Sequence, residues 1–267
     1  MDADDTVATV QLLVSVDCVV EARAAIAGGA DIVDAKDPRH GALGAVSIDV
    51  LREIRGAVGA ARPVSAAIGD AVDEGTIERT AFEYAAAGAA FVKVGFGGIA
   101  DAARVAALAR SAQRGAAAAG ASIVLVSYAD ADRTASVGWQ AIASIAAGTN
   151  ARGVLLDTAD KNGPGLRSFV DLEAMRACAR FAHDHGLLIA CAGKLTLDDL
   201  AFVRDLGADV AGVRGAACEG GRTGRVSAAR VRALHAAMEE GEKRCSVGYP
   251  ARSVSPVLSS AARSAST

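Results

Sequence analysis

Short apolar runs alternate along this chain with longer segments whose apolar positions recur every three or four residues. Residues 11–16, 31–36, 63–69, 91–96, 122–128, 153–158, 187–193 and 210–215 read as buried strands. Helices are expected after the first strand through Ile26, then over 48–58, 74–87, 100–118, 138–147, 168–185, 197–206 and 227–240. Glycines 28, 88, 186 and 207 stand where four of these helices should stop. The phrases Gly28-Gly29-Ala30-Asp31-Ile32, Gly88-Ala89-Ala90-Phe91 and Gly207-Ala208-Asp209-Val210 repeat one helix-to-strand idea. Eight strand–helix units in one chain predict an α/β fold, a single-domain (β/α)8 TIM barrel. An open doubly wound sheet is the alternative. Its glycine-rich first turn is missing, because Val14-Ser15-Val16-Asp17 occupies that place.

In such a barrel, chemistry sits at the C-terminal ends of the strands. Charged residues gather there. The second strand ends Asp34-Ala35-Lys36, the third ends Ile68-Gly69-Asp70, and the fourth carries Lys93. The fifth ends Ser127-Tyr128-Ala129-Asp130, and the sixth ends Asp157-Thr158 with Lys161 close behind. The seventh ends Gly193-Lys194 and the eighth Arg214-Gly215. A lysine in a buried strand costs several kcal/mol unless paired or neutralised, on the order given by ion desolvation. Desolvation also lowers an amine's pKa, which makes a lysine a nucleophile or base near neutral pH. Two strand lysines, Lys36 and Lys93, therefore point to amine chemistry.

The two-residue period places Asp34 and Lys36 on one face, where they are expected to pair. A buried structural ion pair is the bland reading of that motif, and a loop ion pair the bland reading of Asp157 with Lys161. Glycine-rich turns after strands seven and eight suggest phosphate binding through backbone N–H groups. The candidate phosphate and substrate set is Gly193, Lys194, Arg214, Gly215, Ser65 and Asp70, with Arg214 expected to make a bidentate contact. His40 lies close behind Lys36. His183, His185 and His235 read as surface residues.

Composition narrows the picture. Hydrophobic residues make up 52% and aromatics 4%, so the core must come from Ala, Val, Leu and Ile, as suits helices on a parallel sheet. The net charge of −3 and the lack of a long basic run argue against a nucleic-acid partner. No apolar stretch approaches the roughly 18 residues of a membrane span. The start Met1-Asp2-Ala3-Asp4-Asp5 is acidic, unlike a signal peptide. Five dispersed cysteines read as reduced thiols, which suits the cytoplasm. No catalytic metal is expected, since no histidine or carboxylate cluster shows metal-ligand spacing. Residues 1–9 read as an extension, 10–242 as the barrel and 243–267 as a disordered tail.

Several stretches together resemble the (5-formylfuran-3-yl)methyl phosphate synthase family. They are Leu12 to Val16, Ala27-Gly28-Gly29-Ala30-Asp31-Ile32-Val33-Asp34-Ala35-Lys36-Asp37-Pro38, Gly41 to Ala45 and Pro63 to Asp70. Val92-Lys93-Val94-Gly95, Leu156-Asp157-Thr158-Ala159 and Gly212 to Cys218 continue the match. The resemblance implies a TIM barrel that joins two molecules of glyceraldehyde 3-phosphate into a phosphorylated furan aldehyde, in methanofuran-type cofactor biosynthesis. It implies that Lys36 forms a Schiff base, that Lys93 accepts a proton, and that Asp34, Asp157 and Lys161 are further site residues. The lysine chemistry needs no cofactor. The expected partner is a small phosphorylated substrate, and a homo-oligomer is expected because such barrels often associate through their outer helices. The residues alone leave open a class I aldolase or isomerase on another sugar phosphate. They also leave open a phosphosugar decarboxylase of the Asp-x-Lys type, although no Asp lies three residues after Lys36. A non-catalytic, phosphoester-binding regulatory barrel is a further alternative.

Overall fold

The computed structural model describes residues 10–245. The expected extension at 1–9 and residues 246–267 of the expected tail lie outside the described residues. Eight parallel strands close into a barrel in chain order, β1 pairing with both β2 and β8. They are β1 (Gln11–Val16), β2 (Ile32–Ala35), β3 (Val64–Asp70), β4 (Phe91–Gly95), β5 (Ser122–Tyr128), β6 (Gly153–Asp157), β7 (Leu188–Cys191) and β8 (Val210–Val213). The chain is a (β/α)8 TIM barrel.

Helices α1 (Val19–Ala27), α2 (Ile48–Val58), α3 (Glu74–Ala86) and α4 (Ala102–Ala118) follow the first four strands. A one-turn helix, α5 (Ala131–Thr134), precedes α6 (Trp139–Gly148) after β5. The last three strands are followed by α7 (Leu172–Asp184), α8 (Leu200–Asp205) and α9 (Ala228–Cys245). Four starts are fixed by side-chain caps: Ser47, Asp73, Asp101 and Asp171 each accept a backbone N–H two or three residues on. Each such cap stabilises its helix by about 1 kcal/mol. Outward-facing Leu12, Val14, Val33, Val92, Val94, Ile123 and Leu125 are fully covered by the helices. Helices α3 and α4 approach closely at Gly115, where a Cβ would stand 2.0 Å from the Glu78 carbonyl oxygen.

Three departures from the expected elements have local causes. The helix expected over 168–185 begins instead at Leu172, because the Asp171 carboxylate caps Ala174 N–H, and a 3₁₀ turn covers Leu166–Ser168. A 3₁₀ turn, Leu197–Asp199, also opens the α8 segment. The loop after β8 carries an unexpected antiparallel pair, β9 (Cys218–Glu219) and β10 (Arg225–Val226). Two-residue strands carry no periodicity to read.

The inside of the barrel has two characters. Its lower part is lined by Leu13, Ile32, Phe91, Val124, Leu188 and Val210, with small residues Gly153, Ala190 and Gly212 between them. Barrels usually fill this space with layers of branched side chains. Here the small residues leave a cavity of about 380 Å³ that reaches up to the charged C-terminal mouth. Among the described residues, no helix is long and apolar enough to cross a membrane.

Candidate active site

The register of β1, β2 and β3 builds the first half of the site. Ser15, Asp34 and Ser65 stand side by side on neighbouring strands. Ser15 Oγ donates to Asp34 Oδ2 at 2.8 Å, and Ser65 Oγ donates to Asp34 Oδ1 at 2.7 Å. Lys93 reaches across from β4 and places Nζ 2.5 Å from Asp34 Oδ1. It can cross because the intervening β3 residue beside it is Ala67. The carboxylate is completely buried, and Lys93 is 3% exposed. Burial alone would raise the Asp34 carboxyl; the ammonium charges of Lys93 and Lys36 outweigh it and hold the group below its ordinary value.

The expected Asp34–Lys36 pair does not form. Same-face residues two apart on a strand are separated by about 6.6 Å along it, and Lys93 takes the carboxylate instead. Among the described residues, no carboxylate oxygen lies within 4.0 Å of Lys36 Nζ and no hydrogen bond ends on it. Lys36 is nevertheless 8% exposed. Burial lowers its amine to about 8; Asp157 and Asp34 oppose this, while Lys93 and Lys161 add to it.

The second half of the site lies at the end of β6. Asp157 Oδ1 accepts Lys161 Nζ at 2.6 Å and the Thr158 N–H at 2.8 Å. Its Oδ2 is buried without a partner, as are Ser127 Oγ and Thr158 Oγ1. Burial pushes the Asp157 carboxyl up, but Lys161 and Lys36 more than compensate and keep it below its usual range. Lys36, Lys93, Asp157, Lys161 and Ser65 all line the central cavity. An amine poised near neutrality between two anchored carboxylates is equipped for imine formation and proton transfer.

The remaining candidates separate. Gly193, Lys194, Arg214 and Gly215 line the same cavity. Lys194 is exposed and donates to the Gly163 carbonyl. Arg214 cannot make the expected bidentate phosphate contact, because its five N–H donors are already used. Nε donates to the Arg222 carbonyl, the two terminal nitrogens to Glu21, and the same nitrogens to the Ser15 and Gly224 carbonyls. Asp70 lies apart, in a second notch of about 210 Å³ with His40 and Tyr128. It accepts the Tyr128 hydroxyl and the Gly97 N–H, both at 2.8 Å. His40 Nδ1 is 2.8 Å from Asp37 Oδ2, which also bonds Arg39.

Sequence reasoning passed over Arg222, whose side chain lines the central cavity. Its signal was a lone cation between Gly220-Gly221 and Thr223-Gly224, visible only once those glycines are read as a hairpin turn.

A family model described as 4-HFC-P synthase matches residues 12–235. The chain belongs to the 4-HFC-P synthase family. It is thereby an enzyme, and the family match spans the whole barrel from β1 into α9. Relatives named (5-formylfuran-3-yl)methyl phosphate synthase agree. The Methanopyrus kandleri protein is 39% identical over 77% of this chain and 88% of its own length. Those of Methanothermobacter thermautotrophicus and Methanocaldococcus jannaschii are 38% and 36% identical, each over 84% of this chain and 96% and 97% of their own lengths. Among solved structures, 3-hexulose-6-phosphate synthase superposes with a TM-score of 0.60 at 20% identity, covering 85% of this chain and 99% of that one. KGPDC from Streptococcus mutans gives 0.58 at 12% identity, covering 87% and 98%. At those identities the likeness concerns the fold alone.

Proposed function

We propose that this member of the 4-HFC-P synthase family joins two molecules of glyceraldehyde 3-phosphate into (5-formylfuran-3-yl)methyl phosphate through a Schiff base on Lys36, as a step of methanofuran-type cofactor biosynthesis. Two trioses supply the six carbons of the product, so one phosphate and two waters leave. The observation that carries the reading is Lys36 itself, a buried amine held at about 8 that has no carboxylate of its own while two carboxylates stand nearby.

The neutral amine adds to a substrate aldehyde carbon and expels water, leaving an imine. A protonated imine withdraws electrons, so the neighbouring C–H becomes acidic and a phosphate one carbon further on can depart. Lys93 is the proton acceptor. Its 2.5 Å contact with Asp34 holds Nζ in position beside the cavity. Two serine hydroxyls keep Asp34 from turning away. Asp157, fixed through one oxygen by Lys161, keeps the other for substrate hydroxyl protons during addition, cyclisation and dehydration. Lysines and carboxylates supply all of these steps.

Reductive trapping with borohydride and glyceraldehyde 3-phosphate, followed by peptide mass mapping, tests the assignment. The reduced adduct is expected on Lys36 and absent in Lys36→Arg, whose turnover should fall about 10⁴-fold, or about 5 kcal/mol of barrier. An adduct on another lysine, or none, overturns it. An adduct on Lys36 without furan absorbance in the product would favour a class I aldolase or isomerase.

A further inference from the structure

The charges facing the central cavity do not cancel. Asp34 is paired with Lys93 and Asp157 with Lys161. At the charged mouth Lys36, Arg222 and the exposed Lys194 remain, and among the described residues none of the three has a carboxylate within 4.0 Å. Lys36 has a role in the proposed chemistry. Arg222 has none, although a guanidinium is always charged and the cost of leaving it half-buried must be offset.

The surroundings hold Arg222 in place without neutralising it. Its backbone sits in the turn between β9 and β10, just after Gly220 and Gly221, whose φ angles are 81° and 80°. Arg214 Nε donates to the Arg222 carbonyl at 2.9 Å, and Arg214 is in turn clamped by Glu21. The side chain then leans over the cavity towards the loop that carries Lys36. One terminal nitrogen donates to the Pro38 carbonyl and the other to the Gly41 carbonyl, the latter at 2.7 Å. Two neutral carbonyls occupy two of five donors. A phosphoryl oxygen is a much stronger partner, because both members of the hydrogen bond are then charged.

We propose that Arg222 is a phosphate-binding residue of this active site, taking the place the sequence pattern suggested for Arg214. The guanidinium keeps its remaining donors for a substrate phosphate and spans the loops after β8 and β2, so phosphate binding and the seating of the Lys36 loop are linked. The inference rests on the proposed function for the identity of the phosphorylated substrate, but the anion-binding claim can be read without any reaction.

The test compares the wild-type protein with Arg222→Met and Arg222→Lys. Calorimetry with inorganic phosphate should show affinity falling about 10- to 100-fold in Arg222→Met, the loss expected for a charged hydrogen bond, and by less in Arg222→Lys. Covalent trapping of Lys36 by glyceraldehyde 3-phosphate should need correspondingly more substrate in Arg222→Met. Trapping by unphosphorylated glyceraldehyde should fall by much less, the difference between the two aldehydes being the share that the phosphate contact supplies. Unaltered phosphate affinity in Arg222→Met overturns the proposal. So does an equal loss of trapping with both aldehydes, which would mark Arg222 as a loop fastener only. Thermal melting confirms that the variants fold; if Arg222→Met does not, Arg222→Lys decides by the same two readings. Failure of the Schiff-base reading would appear separately, as a missing adduct in the wild type with phosphate affinity still dependent on Arg222.

Discussion

Two buried clusters of charge sit at the same end of this barrel and are built on opposite principles. In the first, Glu21 and Arg214 are 5% and 7% exposed. Both Glu21 oxygens receive the Arg214 guanidinium, and the Asp17 and Val226 N–H groups each add a bond at 3.1 Å. Burial pushes Glu21 up, but Arg214 and these backbone groups hold it below its usual value. Every donor of Arg214 is used. In the second cluster, among the described residues, Lys36 has no bonded partner, Asp157 keeps a buried oxygen unpaired, and cations outnumber carboxylates. A satisfied ion pair fastens loops and leaves nothing over for a ligand. An unsatisfied one stores free energy that a substrate can release. Asp17, Cys18 and Glu21 also bring possible ligand atoms within 4.8 Å of one another, yet the Glu21 oxygens are already committed.

The sharpest way to break this comparison is to remove one partner from the satisfied pair. Arg214→Met leaves Glu21 buried and alone, which should cost about 3–5 kcal/mol of stability in urea unfolding. A stability loss under about 1 kcal/mol would show that the pair is not structural, and the contrast would fail. The same operation on the unsatisfied cluster should have the opposite sign. Lys36 is held at about 8 against 10.5 for a free lysine. Between those pH values the unfolded chain binds the extra proton, so wild-type stability rises with pH across that window. Below pH 8 both states are protonated and the full penalty applies. Lys36→Met removes it, so this variant should be more stable than wild type at pH 7 by about 1–3 kcal/mol. The gain should shrink towards zero as pH climbs to 10.5. A destabilised Lys36→Met would mean that its neighbours depend on the ammonium for more than its burial costs.

What the sequence disclosed follows the same division. The strands and most helices were legible because apolar periodicity is a local property, and Gln11–Val16, Ile48–Val58 and Ser122–Tyr128 match their expected bounds at both ends. The five charged candidates stood out because a charge inside or just beyond an apolar run is conspicuous, and the structure brings all five to one end of the barrel. Their pairing was not. Asp34 chose Lys93 over the nearer Lys36 because barrel closure sets which strand tips converge. The engagement of the Arg214 donors was hidden for the same reason: its partner Glu21 lies 193 residues away in the chain. Asp70, conspicuous at the end of β3, proved to face Tyr128 and a separate notch. Arg222 was hidden in a loop whose two-residue strands leave no pattern.

The smallest change should sharpen the unsatisfied cluster most finely. Asp157 is the strongest influence raising the Lys36 amine, though burial outweighs it. In Asp157→Asn that support disappears, so the amine should lose its proton at lower pH, by about one unit. Only the neutral amine attacks an aldehyde, and at pH 7 a group titrating near 8 is about one-tenth neutral. The rate of trapping by unphosphorylated glyceraldehyde and cyanoborohydride should therefore climb through pH 8 in wild type and level off above it. Using the unphosphorylated aldehyde leaves the enzyme as the partner that titrates over this range. In Asp157→Asn the climb should move down by about one unit, while the proposed role of the carboxylate in later proton transfers predicts slower overall turnover. The pH position of trapping and the rate of turnover then report separate roles. A profile that falls in height without moving would mean that Lys36 does not feel Asp157, and that the two halves of the site are not one electrostatic unit.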